Sequence, residues 1–328
     1  MHREAADPSS DASGLGACFR LPLDLELVGA SNHRSGWPFV MEHLRAFHHS
    51  KGILLDDFVE RTIRTEAVAE GWREPWVGIF HHPPNLPSWL DPGAPLDHIM
   101  STAAFRASLP NLKGAIALSQ YLGNRLRNLL PCPVLVLKHP TETPKLLFSF
   151  DHWEQQDKRR IVQVGWYARN HRAIYQLDLP EAYRKIHLLN PEIQNLIERT
   201  DQFSPYRERA PQGEVEIFRR LGHSDYDELM ASSLVFSEYW DVSASNMVVE
   251  AIARNTPLVV NRHPALEEYL GAEYPLFFDD FHDIRELLSD SMRISHAWRY
   301  IREMNKTWLS ASSFAENVAN FVNQVSDL

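Results

Sequence analysis

Short apolar, β-branched runs bounded by turn residues alternate with helical periodicity along the chain, and the series occurs twice. In the first half the runs are LDLELVGA (23–30), KGILLDD (51–57), WVGIF (76–80), LKGAIALS (112–119) and PVLVLKHP (133–140), with helices expected near 37–50, 58–70 and 120–130. In the second they are RRIVQVGW (159–166), RKIHLLN (184–190), EVEIFRRLG (214–222), SLVFSEYW (233–240), PLVVNRH (257–263) and YPLFFDD (274–280). Helices are expected there near 170–177, near 224–232 and after SASN, with two more closing the chain. Strands alternating with helices predict parallel sheets joined by right-handed crossovers. Between the series, TETPKLLFSFDHWEQQDKRR (141–160) has Pro, charge and no clean period, and reads as a linker. The expected fold class is therefore α/β, with two Rossmann-like doubly wound domains facing across a cleft. The expected spans are 21–150 and 151–305, after a disordered polar tail over 1–20, with a closing helix over 306–328.

Composition narrows the function. The net charge of −10 excludes general affinity for nucleic acid, which rests on neutralising phosphates, so a phosphate-bearing ligand must meet a local basic patch. The apolar runs are strand-sized, too short for a membrane span, and the polar start MHREAADPSSDASG has no signal-peptide core. Peripheral membrane contact is left open. Two cysteines, Cys18 and Cys132, make neither a disulfide framework nor a zinc site and favour a reducing cytoplasm.

In doubly wound sheets ligands sit at the loops leaving the carboxyl ends of strands. GASNHRSGW (29–37) carries Arg34 and Gly36, but no dinucleotide fingerprint, and ligand contact competes with ordinary turn chemistry. VGIFHHPPNLPSW (77–89) ends a strand in His81 and His82, held out of a helix by two prolines and suited to a sugar hydroxyl or a proton. The alternative points one imidazole into the core and one to solvent. VGWYARNHRAIYQL (164–177) brings Arg169, Asn170, His171 and Arg172 to a helix start, a dense anion site against the alternative of surface arginines. After SLVFSEYWD, Ser243, Ser245 and Asn246 can cap a helix whose first amides could take a phosphate oxygen, and Glu250 shares a face with Asn246. Glu250 suits a ribose diol or, equally, a pair with Arg254. Asp225 and Asp227 in DYD have a metal-motif form, but helix capping is the expected role. In NRHPALEEYLG, Arg262, His263, Glu267 and Glu268 either touch ligand or pair with one another. Serine-hydrolase, zinc-protease and P-loop motifs are absent.

At these residues the chain resembles glycosyltransferases of the GT-B fold with a GT4-like C-terminal domain. LGHSDYDELMASSLVFSEYWDVSASNMVVEAIARNTPLVVNRHPALEEYLG is similar to that family's nucleotide-binding block, VGWYARNHRAIYQL to its basic diphosphate segment, and GAIALSQYLGNRLRNLLPCPVLVLKHP to the end of its first domain. The resemblance implies a uridine or guanosine diphosphate sugar as donor, held by the second domain, and a glycan or small hydroxyl acceptor held by the first. It implies no cofactor or obligatory metal, hexosyl transfer of the retaining type, and a closing helix packed back on the first domain. Glu250 would hold ribose, Ser245, Asn246 and the Met247 amide the phosphates, and Arg169, Asn170 and Arg172 the diphosphate. Gly36 and Arg34 would lie near phosphates or acceptor, and one of His81 and His82 near the donor sugar. The family's first Glu falls on Val242, leaving Asp241 and Glu238 as the candidate catalytic carboxylates. An epimerase or hydrolase of the same fold, and a silent nucleotide-sugar-binding subunit, are the alternative readings.

Overall fold

The computed structural model describes residues 18–22, 36–64, 70–91, 93–165, 167–189 and 212–326. Most of the expected tail, the expected strand 23–30 and Arg34 lie outside the described residues. The first sheet is parallel, in the order β1 (Phe19–Arg20), β2 (Ile53–Asp56), β3 (Trp76–Phe80), β4 (Leu112–Ala117), β5 (Val134–Val136). Its helices are α1 (Trp37–Leu44), α2 (Val59–Arg64), α3 (Leu96–Ser101), α4 (Ala103–Ser108) and α5 (Gln120–Leu129). The second half contributes α6 (Phe150–Glu154), β6 (Arg159–Val164), α7 (Ala173–Gln176), β7 (Tyr183–Leu188) and β8 (Val215–Phe218). It continues through α8 (His223–Ala231), β9 (Ser233–Ser237), α9 (Asn246–Arg254), β10 (Leu258–Asn261), α10 (Pro264–Leu270) and β11 (Phe277–Phe278). Three helices close the described chain, α11 (Ile284–Ser289), α12 (Ser291–Glu303) and α13 (Ala311–Ser326).

Both faces of the first sheet are covered, and the two-residue period of its strands divides the apolar side chains between them. Leu55, Val77, Ile79 and Ile116 face one way, into a cluster with Val40 and Leu44 of α1 and Phe314, Val318 and Val322 of α13. Leu54, Trp76, Phe80 and Ala115 face the other, under α2, α4 and α5. Helix α13 thus lies on the sheet made by the first half of the chain. Gly114 is what admits it, because a Cβ there would stand 2.8 Å from the Phe321 ring.

The second sheet is parallel in the order β11-β10-β9-β6-β7-β8. From β6 the chain winds outward through β7 and β8, then returns to β9 beside β6 and winds the opposite way. The loops leaving β6 and β9 therefore diverge, and a crevice opens between them at the carboxyl ends of the strands. The core beneath includes the apolar side of α9, with Met247, Val248, Val249, Ala251 and Ile252 all buried. Helix α9 ends where Asn255 turns left-handed (φ 61°) and returns its amide to the Ala251 and Ile252 carbonyls.

Three expected elements differ in extent. The helix expected over 37–50 tightens into a 3₁₀ turn at Arg45–Phe47, and His48 leaves it extended so that its Nδ1 accepts the Leu21 amide at 3.1 Å beside β1. The helix expected from residue 170 begins at Ala173, because the Asn170 amide is drawn 2.8 Å to the Glu238 carbonyl. The stretch 141–160 holds α6, whose Phe150 and Trp153 join Phe148 in the second core. Aromatic burial orders it, a signal that periodicity does not carry.

Candidate active site

A cavity of about 690 Å³ lies between the two sheets and takes in the β6–β9 crevice. That is within the usual range for small-molecule sites. Its first-domain wall includes Trp37, Phe58, His81, His82 and His139; its second-domain wall includes Gly165, Arg169, Arg220, Tyr226, Asp241, the 243–247 segment and Glu250.

Arg169 leaves β6 on a loop of two left-handed residues, Gly165 (φ 81°) and Ala168 (φ 57°). A Cβ on Gly165 would stand 2.4 Å from the Arg169 guanidinium, so glycine is required on steric as well as torsional grounds. The guanidinium lies 5.0 Å from the Tyr239 ring centroid and donates from Nη2 to Ser245 Oγ at 2.9 Å. It is 7% exposed, and among the described residues its Nε has no partner and it forms no salt bridge. An uncompensated buried charge costs on the order of 3–5 kcal/mol, so this cation is built to meet an anion.

The amino end of α9 faces the same space. The Ser245 hydroxyl, expected to cap it, is instead held by Arg169 and by Tyr239 (2.8 Å), so no side-chain cap bond forms at that position. Uncapped first-turn amides with the positive end of the helix dipole suit a phosphate oxygen. Ser243 turns toward the first domain, 3.4 Å from Ser119 Oγ. One turn into the helix, Glu250 is 1% exposed and its Oε2 accepts the Tyr226 hydroxyl at 2.7 Å. Arg254 takes Asp227 as its close partner (2.7 Å), with Glu250 3.8 Å away, so the pairing alternative is met chiefly by Asp227. Asp227 is thereby a buried ion-pair member, and α8 is capped by Gly222 without a side-chain bond, so neither aspartate of DYD caps it.

On the opposite wall, the turn after β3 is held by Glu60, fully buried, whose Oε1 accepts the amides of both His81 (2.9 Å) and His82 (2.8 Å). Both imidazoles line the cavity, rather than dividing between core and solvent. His81 stacks on Phe58 at 4.0 Å with its Nε2 2.9 Å from the Asp57 carbonyl, and burial pushes its pKa well below the ordinary value. His139, buried beside Trp37, is pushed down to about 4 for the same reason. These two rings are neutral at pH 7 and offer hydrogen bonds rather than charge.

Other expected site residues stand elsewhere. Arg172, Asn170 and His171 are not in the cavity lining; Asn170 Nδ2 donates to Glu238 Oε2 at 2.7 Å, which ties both residues into a brace behind the loop. Gly36 sits just before α1, outside the lining, although its neighbour Trp37 lines it. Asp241 lines the cavity, but both its oxygens are engaged by protein donors: Oδ1 accepts the Val242 amide and His263 Nε2 (each 2.9 Å), and Oδ2 accepts the Asn85 amide at 2.6 Å. Of the other polar matches, Arg262 pairs with Glu267 (2.7 Å), and Glu268 Oε2 accepts the Gln120 amide across the domains at 2.6 Å. Sequence reasoning missed Arg219, Arg220, Tyr226 and His139, all in the lining. The arginine pair at the β8 exit was legible as a second basic strand end.

Among the described residues, no group of His, Cys, Asp and Glu side chains is arranged to hold a metal ion, and no helix is long and apolar enough to cross a membrane.

No protein-family model and no curated protein matches the chain. Solved structures do. Sucrose-phosphate synthase from Thermosynechococcus elongatus superimposes with a TM-score of 0.62 at 13% identity, over 89% of this chain and 77% of that one. A variant of S. aureus TarM, solved in complex with Fondaparinux, alpha-GlcNAc-glycerol and UDP, gives 0.54 at 14%, over 83% and 55%. The UDP-forming alpha,alpha-trehalose-phosphate synthase from Burkholderia vietnamiensis gives 0.53 at 11%, over 88% and 78%. The chain thus spans about three quarters of the two synthases and just over half of TarM. At these identities what is shared is architecture. Two parallel sheets facing across a cleft, the second wound both ways from β6, give the chain the GT-B fold of these glycosyltransferases.

Proposed function

We propose that the protein transfers a sugar from a nucleoside-diphosphate sugar to a hydroxyl of a glycan or small acceptor, with no obligatory metal and with retention at the anomeric carbon. The observation that carries this reading is the buried Arg169 guanidinium with no carboxylate partner among the described residues, set beside the uncapped amino end of α9. Together they supply a cation and amide donors for a diphosphate, with Glu250 and Tyr226 one turn deeper for a ribose diol. As the bond from the anomeric carbon to the diphosphate breaks and the bond to the acceptor oxygen forms, negative charge grows on the departing phosphate, whose oxygen takes up the proton that the acceptor hydroxyl gives up. Preorganised donors in a water-poor cleft are most effective at that point. His81 and His82 face the donor groups from the acceptor side, and imidazole nitrogens there suit sugar hydroxyls. The UDP in the TarM complex and the UDP-forming trehalose-phosphate synthase support a uridine diphosphate donor.

The test is incubation with labelled uridine and guanosine diphosphate sugars, with and without candidate acceptors. Release of nucleoside diphosphate that requires an acceptor supports transfer. Release without one reassigns the protein as a hydrolase. Saturable binding without turnover identifies a silent subunit, a reading favoured by one observation: both oxygens of Asp241 are held by protein donors.

A further inference from the structure

Residues 83–91, with Gly93 and Ala94, leave the first domain and lie on the second as a strap. Leu86, Leu90 and Ala94 form a small buried cluster with Ala168, the left-handed residue that precedes Arg169. Trp89 meets Trp240 edge to face at 5.3 Å. Within its own domain the strap is anchored by a two-pronged pair of Arg64 and Asp91 (2.8 and 3.0 Å).

Polar contacts secure its start. The Asn85 amide donates to Asp241 Oδ2 at 2.6 Å, and Asn85 Nδ2 donates to the Tyr121 hydroxyl at 2.6 Å. On the second domain, His263 Nδ1 accepts the Ala265 amide at 3.2 Å. That leaves the ring proton on Nε2, which donates to Asp241 Oδ1 at 2.9 Å. Tyr121 packs edge-on against the His263 ring at 4.8 Å, and the Asp241 charge is one of its close neighbours. Asp241 is 1% exposed, so this carboxylate is solvated by donors from both domains in place of water. Opening the cleft would exchange the charge-assisted hydrogen bond from the Asn85 amide for one to water, at the net cost of that one buried bond.

We propose that Asp241 is a latch: a positioning residue that clamps this strap onto the second domain and holds the cleft closed before any substrate arrives. Because the strap packs on Ala168, the latch also sets the loop that presents Arg169. This inference rests on the closed geometry and stands apart from the identity of the donor.

The experiment is a distance measurement in ligand-free full-length protein, between nitroxides at the exposed positions Ser101 and Glu286, with Cys18→Ser and Cys132→Ala removing the native thiols. The parent protein gives one narrow distribution. Asp241→Asn, which places an amide donor against the Asn85 amide or the His263 ring, raises the open-to-closed ratio roughly tenfold, the order expected for one lost buried hydrogen bond. Tyr121→Phe, which deletes only a hydroxyl, shifts the distribution the same way to a smaller degree. Distributions as narrow as the parent in folded Asp241→Asn and Tyr121→Phe overturn the proposal, as does a parent that is itself broad. Should Asp241→Asn not fold, Tyr121→Phe decides alone. Hydrogen exchange supplies a second readout: the strap amides exchange faster in the variants while the β3 and β9 amides do not.

Discussion

Arg169 was legible in the sequence as a cation at a strand exit, because a parallel sheet places such loops at the ligand side whatever their conformation. Arg172 was not separable from it, since both were read as lying at one helix start, and the loop is irregular as far as Arg172. Side chains three apart share a face only on a helix. The carboxylates show the same limit. Glu250 lies inside a regular helix and its face follows from spacing, although its close partner Tyr226 does not, and the engagement of Asp241 depends on His263 and Asn85, which only the tertiary structure brings near. Arg169→Met is therefore expected to weaken nucleoside diphosphate binding by about a hundredfold, the scale of an ion-paired hydrogen bond pair, while the melting temperature stays level or rises because an unpaired buried charge is gone. Calorimetry and thermal melts check it; a collapse in stability would assign Arg169 to structure. Gly165→Ala forces a side chain into a left-handed backbone and against the guanidinium. It should lower the urea-derived stability by about 1–3 kcal/mol and weaken diphosphate binding together.

Elements were read more surely than their ends. The strands β3 and β4 follow from short apolar runs bounded by turn residues, as a parallel sheet buried on both faces requires. Helix boundaries depend on where individual amides go, and a capping serine that prefers Arg169 and Tyr239 to its own helix cannot be anticipated from its type. Helix α13 carries the clearest energetic weight outside the cleft. Phe321 lies against Gly114 and is 8% exposed. Phe321→Ala should cost about 3–5 kcal/mol by urea unfolding, through lost burial and the cavity left over β4. A loss below about 1 kcal/mol would show that α13 is a loosely held appendage. Glu250→Ala, in contrast, should reduce nucleotide affinity while stability changes little, because Arg254 retains Asp227.

At the scale of the whole molecule, the doubly wound second sheet was expected from the alternating runs, but which loops flank the crevice was settled only by the placement of β9 beside β6. Two buried titrating groups give the molecule a testable pH profile. His139 is pushed down to about 4 from its ordinary 6.5, so the unfolded chain takes up the proton first as pH falls. Its contribution is complete above pH 6.5 and is lost toward pH 4. Asp56 is pushed up to about 6 from 3.8, chiefly by burial, so its contribution is complete below pH 3.8 and is lost as pH rises toward 6. Each effect amounts to about 3 kcal/mol, and between pH 4 and 6 they oppose each other. Relative to the parent, His139→Gln should lose stability as pH rises across that window and Asp56→Asn should gain it, by urea midpoints. Parallel profiles for all three proteins would show that neither group titrates as described.

The placement of α13 on the first sheet has a consequence for biosynthesis. Leu55, Val77, Ile79 and Ile116 emerge from the ribosome early, yet the helix that roofs them is translated after the entire second domain. At about 5–20 residues per second, the part of that greasy face that α1 does not cover stays bare on the order of ten seconds or more, a window in which a chaperone or a neighbouring nascent chain can reach it.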